Sequence, residues 1–334
     1  MSTKQLTFSD LEYGGRKKTT RKTDFLRIMD AIIPWERLVA VVKPHYFPEY
    51  YSTGIGRPPI GIEPMLRMYF LQVWFKLSDE LCEDSIYDVR PMHEFMGINF
   101  LEEQAPDATT LGNFRNLLQE NGLQEELLAT VNGLLAEQGL VMQGGTIVDA
   151  TIIKAPSSTR NSTGKRDPEM KSTRKGNNYH FGMKSHIGVD AGSGLVVKTS
   201  HTAASEHDIT EAHNLYRDTD EVRFGDSGYI GVEKRKEIKE LDSKKEVEYK
   251  TVNRPKRLKE KHDYVINWEK FIEMRKASKR AKVEYVFYIV KRIFGVDFAI
   301  YKGIAKNAAR LNMAYALANL YMVRHRLLEP MPLT

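Results

Sequence analysis

Gly144-Gly145-Thr146-Ile147-Val148-Asp149-Ala150-Thr151 marks the point where the hydrophobic period of this chain changes. Before it, apolar residues recur at helical intervals; after it they alternate or run together, as in strands. Residues 146–154 read as a strand. Residues 155–178, rich in Ser, Thr, Lys, Arg and Gly, read as a long loop. Residues 179–190 alternate, with Phe181, Met183, Ile187 and Val189 on one side and His180, Lys184 and His186 on the other. Ala191-Gly192-Ser193-Gly194 is a hairpin turn and residues 195–202 the return strand. A helix over 208–217, a strand over 221–225, a helix over 232–241, a strand over 246–252 and a long helix from about 268 to 294 follow.

The resulting order, β-β-β-α-β-α-β-α, is that of a ribonuclease-H-like fold, an α/β architecture whose mixed sheet carries acids at adjacent strand ends. Periodicity alone leaves it one candidate among several α/β folds. Upstream the text is mostly α. Phe25, Ile28, Met29 and Ile32 repeat at three and four, and Leu66, Tyr69, Phe70 and Trp74 do so over 60–76. Ser78-Asp79 and Asp107-Ala108-Thr109-Thr110 resemble helix starts. The organisation predicted is a basic arm over 1–24, a helical, helix-turn-helix-like DNA-binding domain over 25–140, and an α/β catalytic domain over 141–334. Trp35, Trp74 and Trp268 are expected to pack rather than to stack on bases.

Composition narrows the function classes. No apolar run is long enough to cross a bilayer, and the amino terminus carries no signal-peptide pattern. The single cysteine, Cys82, allows no internal disulfide and no cysteine zinc cage, and fits a reducing cytoplasm. The net charge of +6 is mild, but residues 244–302 hold 17 Lys and Arg against 8 Asp and Glu, a net of +9. A basic zone around Glu284 is the footprint of a polyanion, or a solvated charged surface.

Asp149 follows an apolar run and is expected near a strand end; Asp226 follows Val222-Arg223-Phe224-Gly225, with Gly228 permitting a sharp exit. Either aspartate alone reads equally as a turn cap. In the long helix, Arg280 lies four residues before Glu284 and Lys291 seven after it, on one face at 100° per residue. Val283, Phe287, Val290 and Phe294 form the neighbouring apolar stripe. Phosphodiesters are cut by in-line attack, which two divalent ions about 4 Å apart assist. Carboxylates suit Mg²⁺, a cation that prefers hard oxygen ligands.

Taken together, Val148-Asp149-Ala150-Thr151, Ala155-Pro156-Ser157-Ser158, Arg166-Asp167-Pro168-Glu169-Met170 and His180-Phe181-Gly182-Met183-Lys184 resemble the DDE transposases of bacterial insertion sequences, close to the insertion-sequence-five family. Glu206-His207-Asp208, Asp226-Ser227-Gly228-Tyr229, Arg280-x3-Glu284-x6-Lys291 and Leu317-Ala318-Asn319-Leu320 extend the resemblance, as do Gly56-Arg57-Pro58-Pro59 and Asn113-Phe114-Arg115 upstream. It covers almost the whole chain in collinear order. It departs after Glu284, where relatives often carry His-Pro and this chain has Tyr285-Val286.

What the resemblance implies is a catalytic and metal-binding triad of Asp149, Asp226 and Glu284 holding two Mg²⁺, with Mn²⁺ as a substitute. Arg280, Lys291 and Arg292 are assigned to DNA, with Lys184, Arg57 and Arg115 as further contacts. His207, Asp208 and His180 are supporting residues. Asp208 could instead cap the following helix, and a His/His/Asp metal site is a further alternative. The implied partners are double-stranded DNA, as terminal inverted repeats and as target, and a second copy of the chain in a homodimer on DNA, with no membrane. The implied place is the bacterial cytoplasm, at the nucleoid when DNA is bound. Two rivals remain: a nuclease of the same fold that never joins strands, and a DNA-binding descendant without catalysis.

Overall fold

Side-chain oxygens start three of the helices that hold the amino-terminal half together. In the computed structural model, Thr20 Oγ1 accepts from Thr23 N at 3.2 Å, Ser78 Oγ from Leu81 N at 3.1 Å and Asp107 Oδ1 from Thr110 N at 2.6 Å. Each such cap contributes about 1 kcal/mol. The structure describes residues 17–48, 58–100, 103–142, 144–161, 164–243, 245–251 and 281–328, with residues 15 and 54. The helices are α1 (Arg21–Ile32), α2 (Trp35–Val42), α3 (Ile62–Phe75), α4 (Asp79–Asp88), α5 (Arg90–Met96), α6 (Ala108–Glu120) and α7 (Leu123–Glu137). Because α1 starts at Arg21, residues 21–24 are helix and not arm; residues 1–14 and 16 lie outside the described residues. Trp35 stacks on Phe70 at 5.6 Å and Trp74 is 2% exposed, so both pack as expected, while Trp268 lies outside the described residues.

Among the described residues the second half builds a six-stranded mixed sheet. Its strands are β1 (Gly145–Lys154), β2 (Lys171–Lys175), β3 (Asn178–Asp190), β4 (Val196–Ala203), β5 (Val222–Gly225) and β6 (Glu248–Thr251). β1 is central, antiparallel to β3 and parallel to β5, which continues parallel to β6. The outer edge of β3 takes β2 along its first residues and β4 along the rest. This order and these directions are compatible with a ribonuclease-H-like domain.

Several predicted elements change. The expected loop over 155–178 contains β2, whose Lys-Ser-Thr-Arg-Lys text has no apolar alternation because it is an exposed edge held through its backbone. The two helices between later strands are short: a 3₁₀ turn (Asp208–Thr210) then α8 (Ala212–Leu215), and a 3₁₀ turn (Val232–Lys234) then α9 (Lys236–Leu241). Of the long helix expected over 268–294, residues 281–288 are helical (α10) and Ile289–Ile293 form a π-helical turn; 252–280 lie outside the described residues.

The largest element unread in the sequence is α11 (Ile304–Leu328). Residues 311–320 are all buried, so it shows no apolar stripe. It packs on α1, α7 and β4, and the main hydrophobic core runs from Leu26 through Ile147 to Val323. The change of period near residue 140 is thus a change of secondary structure within one continuous core. Asp167 and Glu169 serve the α11 amino terminus, where Gly303 N donates to Asp167 Oδ2 at 2.6 Å and Ile304 N to Glu169 Oε2 at 2.8 Å. Carboxylates there oppose the positive end of the helix dipole.

The start of β1 is fixed by buried charge. Arg217 Nη2 reaches Asp190 Oδ1 at 2.9 Å and donates to Gly145 O at 2.8 Å, while its Nε donates to Asp220 Oδ1 at 3.1 Å. Both aspartate side chains are fully buried. Thr146 Oγ1 also donates to Asp220 Oδ1, at 2.7 Å. Gly145 is required here: a Cβ would stand 2.3 Å from Val222 O and push β1 off β5.

Arg217→Ala takes the guanidinium from buried Asp190 and leaves buried Asp220 only the longer ion pair with Arg223 Nε at 3.8 Å, and is expected to cost about 3–5 kcal/mol in urea unfolding; a loss below about 1 kcal/mol would contradict this account. His201, on β4, lies 2.8 Å from Asn312 Oδ1 of α11 through Nε2, and its Nδ1 is buried without a partner. Burial holds its pKa at about 4, below the usual imidazole value, despite the Asn312 bond. The unfolded chain therefore takes up the proton first. The contribution of neutral His201 is complete above about pH 6.5 and is lost on descending to about pH 4, some 3 kcal/mol in all. His201→Gln should flatten the pH dependence of unfolding in that window; an unchanged slope between pH 6.5 and 4 would refute the assignment.

Candidate active site

The parallel register of β1 and β5 brings two of the three acids together. Gly145 pairs with Val222, Thr146 with Arg223 and Ile147 with Phe224. Continuing this register by two residues on each strand puts Asp149 beside Asp226. Alternation directs both to the face of Ile147 and Phe224, the face covered by α10 and α11. Asp149 is not at the end of its own strand, as expected, but in the middle of β1; what ends at this level is β5. Both acids are half-buried. Asp149 Oδ1 accepts from Ala150 N at 2.8 Å. Asp226 Oδ1 accepts from Gly228 N at 2.7 Å and turns the chain into the 3₁₀ turn Ser227–Tyr229. A Cβ on Gly228 would lie 2.9 Å from that oxygen and displace the carboxylate.

Glu284 is exposed on α10, whose Val283 and Val286 are fully buried in the main core. Two lysines pin this segment to the sheet. Lys282 Nζ donates to Ala191 O at 2.8 Å and also to Gly192 O, in the β3–β4 turn, and Lys291 Nζ donates to Ile152 O of β1 at 2.6 Å. The segment thus lies across the strands that flank Asp149. The α-helical spacing that sets Lys291 on the face of Glu284 does not hold, because the π turn intervenes and Phe294 N donates to Ile289 O at 2.9 Å. Burial first, then the charges of Lys175, Lys154 and Arg292 among others, lowers the Lys291 pKa to about 8. Lys154, Lys175 and Arg292 are exposed, so a cationic cluster stands at the far end of β1.

Among the described residues, no three His, Cys, Asp or Glu side chains stand close enough together to hold a metal ion. The structure therefore joins Asp149 to Asp226 and leaves Glu284 outside that immediate pair. A pair of carboxylates with hard oxygen donors fits a Mg²⁺-like cation, which takes one or two carboxylates and completes its shell with phosphate and water.

Behind the acids, on the opposite face of the sheet, lies a network the sequence did not reveal. Lys184 Nζ is 2.9 Å from Asp208 Oδ1 and donates to Glu206 O at 2.5 Å. His186 is fully buried, with Nε2 2.8 Å from Thr202 Oγ1 and Nδ1 3.8 Å from Asp208 Oδ1; burial lowers its pKa. The Tyr229 hydroxyl is buried among these groups without a hydrogen-bond partner. Burial, then the negative charges of Asp208 and Asp149 and, more weakly, Asp226, holds it well above the ordinary phenol pKa.

Lys184 and Asp208 are thus spent on each other. Lys184 is 13% exposed and presents no free cation to DNA, and Asp208 does not cap the following turn, whose cap residue is His207. His207 is exposed, and His180 sits opposite Thr173 of β2, at the sheet edge. No His/His/Asp metal site forms among the described residues. Arg115, read as a DNA contact, is a structural residue: its Nη2 donates to Asp79 Oδ2 at 2.8 Å, its Nη1 to Gln72 Oε1 at 2.8 Å, and it lies over the Tyr301 ring. Arg57 and Arg280 lie outside the described residues.

Residues 142–320 match a family model described as a Transposase DDE domain, and residues 15–117 match one described as a Transposase domain (DUF772). No solved structure matches the chain.

Tyr229→Phe removes a buried donor that has no acceptor. Thermal unfolding should show unchanged stability or a gain of up to about 1 kcal/mol. A loss of more than about 1 kcal/mol would mean that the hydroxyl is bonded in the folded protein.

Proposed function

The chain belongs to the DDE-domain transposases, and on that premise we propose that it is an insertion-sequence transposase of the insertion-sequence-five family. It binds the terminal inverted repeats of its element, cleaves the element ends and joins the freed 3′-hydroxyl to target DNA. The observation that carries this reading is the in-register placement of Asp149 beside Asp226 on one face of a mixed sheet, with Glu284 on the segment packed across that face. The fold is ribonuclease-H-like in this reading.

Asp149, Asp226 and Glu284 would hold the divalent cations, Mg²⁺ or Mn²⁺ in its place. When bound, two such ions supply activation of the attacking oxygen and stabilisation of the leaving one. The chain supplies the frame. The register of β1 and β5 fixes two carboxylates, and Lys282 and Lys291 hold the segment bearing Glu284 against the sheet. Lys154, Lys175, Arg292 and the basic residues of 244–302 attract the phosphates, so affinity falls as salt rises. The amino-terminal helices recognise the repeats, and two chains act on two ends as a homodimer. The working place is the bacterial cytoplasm, at the nucleoid.

Asp149→Asn, Asp226→Asn and Glu284→Gln are each expected to retain binding to DNA taken from the flanks of the gene while lowering Mg²⁺-dependent cleavage about 10³-fold or more. Cleavage at the normal rate by any one of them removes that residue from the site. A pre-cut end with a free 3′-hydroxyl and a plasmid target distinguishes transposase from nuclease: joined product is expected, and hydrolysis without joining would favour the nuclease.

A further inference from the structure

Tyr285 and Tyr288 follow Glu284 directly on α10 and, unlike Val283 and Val286 beside them, face outward. They are 46% and 55% exposed. Their rings are near-parallel, at 14°, with centroids 6.5 Å apart, toward the long end of the range for paired aromatics. Ile293, 38% exposed, and exposed Arg292 lie one turn further on. Neither tyrosine contributes to the core, and two bulky aromatic rings beside an exposed carboxylate are an expensive way to finish a solvated helix face.

We propose that Tyr285 and Tyr288 form a stacking platform for an unpaired nucleobase next to the phosphodiester that Glu284 serves. This rests on the reading of Glu284 as an active-site acid. Along a helix each residue advances about 1.5 Å, so Tyr288 lies about 6 Å beyond Glu284, within reach of the nucleotides next to a phosphate held there. A phosphate held at Glu284 therefore brings the neighbouring bases over the two rings, and exposed Arg292 offers a cation to the next phosphates. The base must be unpaired, because within a duplex both of its faces are covered by neighbouring pairs. A π face accepts any base, so the platform adds affinity for an opened end without reading its sequence.

The test uses two synthetic DNAs with the full chain, without Mg²⁺ so that neither is cut. One is a duplex with a three-nucleotide unpaired tail carrying 2-aminopurine, whose fluorescence falls on stacking. The other is the same duplex closed at both ends by hairpin loops. The wild-type chain is expected to quench the 2-aminopurine. The Tyr285→Ala/Tyr288→Ala variant should lose the quenching and bind the tailed DNA about tenfold or more weaker, with affinity for the closed duplex unchanged. The corresponding double Phe variant should behave as wild type, which separates ring stacking from a folding defect. Quenching that survives the double Ala change, or an equal loss of affinity for both DNAs, overturns the platform. Salt-dependent binding of both DNAs without any quenching by the wild type overturns it too, yet leaves the transposase reading intact. Failure of the wild type to bind either DNA counts against that reading itself.

Discussion

Arg217 lies between two carboxylates that water does not reach, and its bonds tie the end of β3, the first residue of β1 and the turn that leads into β5. Parallel strands have no hairpin to set their register, so the pairing of β1 with β5 has to be fixed by contacts at its ends. Here one guanidinium and Gly145, the one residue type that can approach Val222 O so closely, provide them. A slip of one residue would reverse the face of every side chain on β5. Asp226 would then leave the face of Asp149 and Phe224 would leave the core. The charge network far from the acids is thus what makes them neighbours.

The same sheet is clamped from the side by α11. Asn319 accepts from Val196 N at 2.9 Å and donates to Val196 O and to Asn132 Oδ1 of α7, so one amide joins the helix, β4 and the amino-terminal half. Ser185 and Tyr315 meet at 2.7 Å within the core. Polar groups buried this way cost free energy unless every one is matched, and matching specifies a single docking geometry. The two halves therefore form one packed body among the described residues, and α10 and α11 share the core on the face that carries Asp149.

The period of β3 was legible: Met183, Ile187 and Val189 enter the main core as read, although the opposite face, with His186, is buried as well. The caps Ser78 and Asp107 were legible too, since a short polar side chain before an apolar period has few other uses. What stayed hidden had no period to show. β2 is too exposed to carry apolar residues, and α11 too buried to carry polar ones on a single face. The triad aspartates could be named from the sequence, but their adjacency could not, because it depends on a register between segments far apart in the chain. Helix arithmetic failed for Lys291 because a π turn adds a residue to the winding, and nothing in Ile289-Val290-Lys291-Arg292-Ile293 announces one.

Counting cations along the chain does not show which of them face solvent. Lys184, Lys282, Lys291, Arg115, Arg217 and Arg223 all turn inward, to carboxylates or backbone carbonyls. Among the described residues, exposed Lys154, Lys175 and Arg292 come from three separate segments and gather around Lys291 because β2, β3 and β1 are adjacent and Lys291 anchors its segment to β1. Their mutual repulsion is part of what depresses Lys291, so the cluster already favours an arriving anion before any DNA is bound. The fold thus sorts like residues into two roles: buried cations such as Arg217 hold the strands in register, and exposed ones such as Lys154, Lys175 and Arg292 form a small positive field at the end of the strand that carries Asp149.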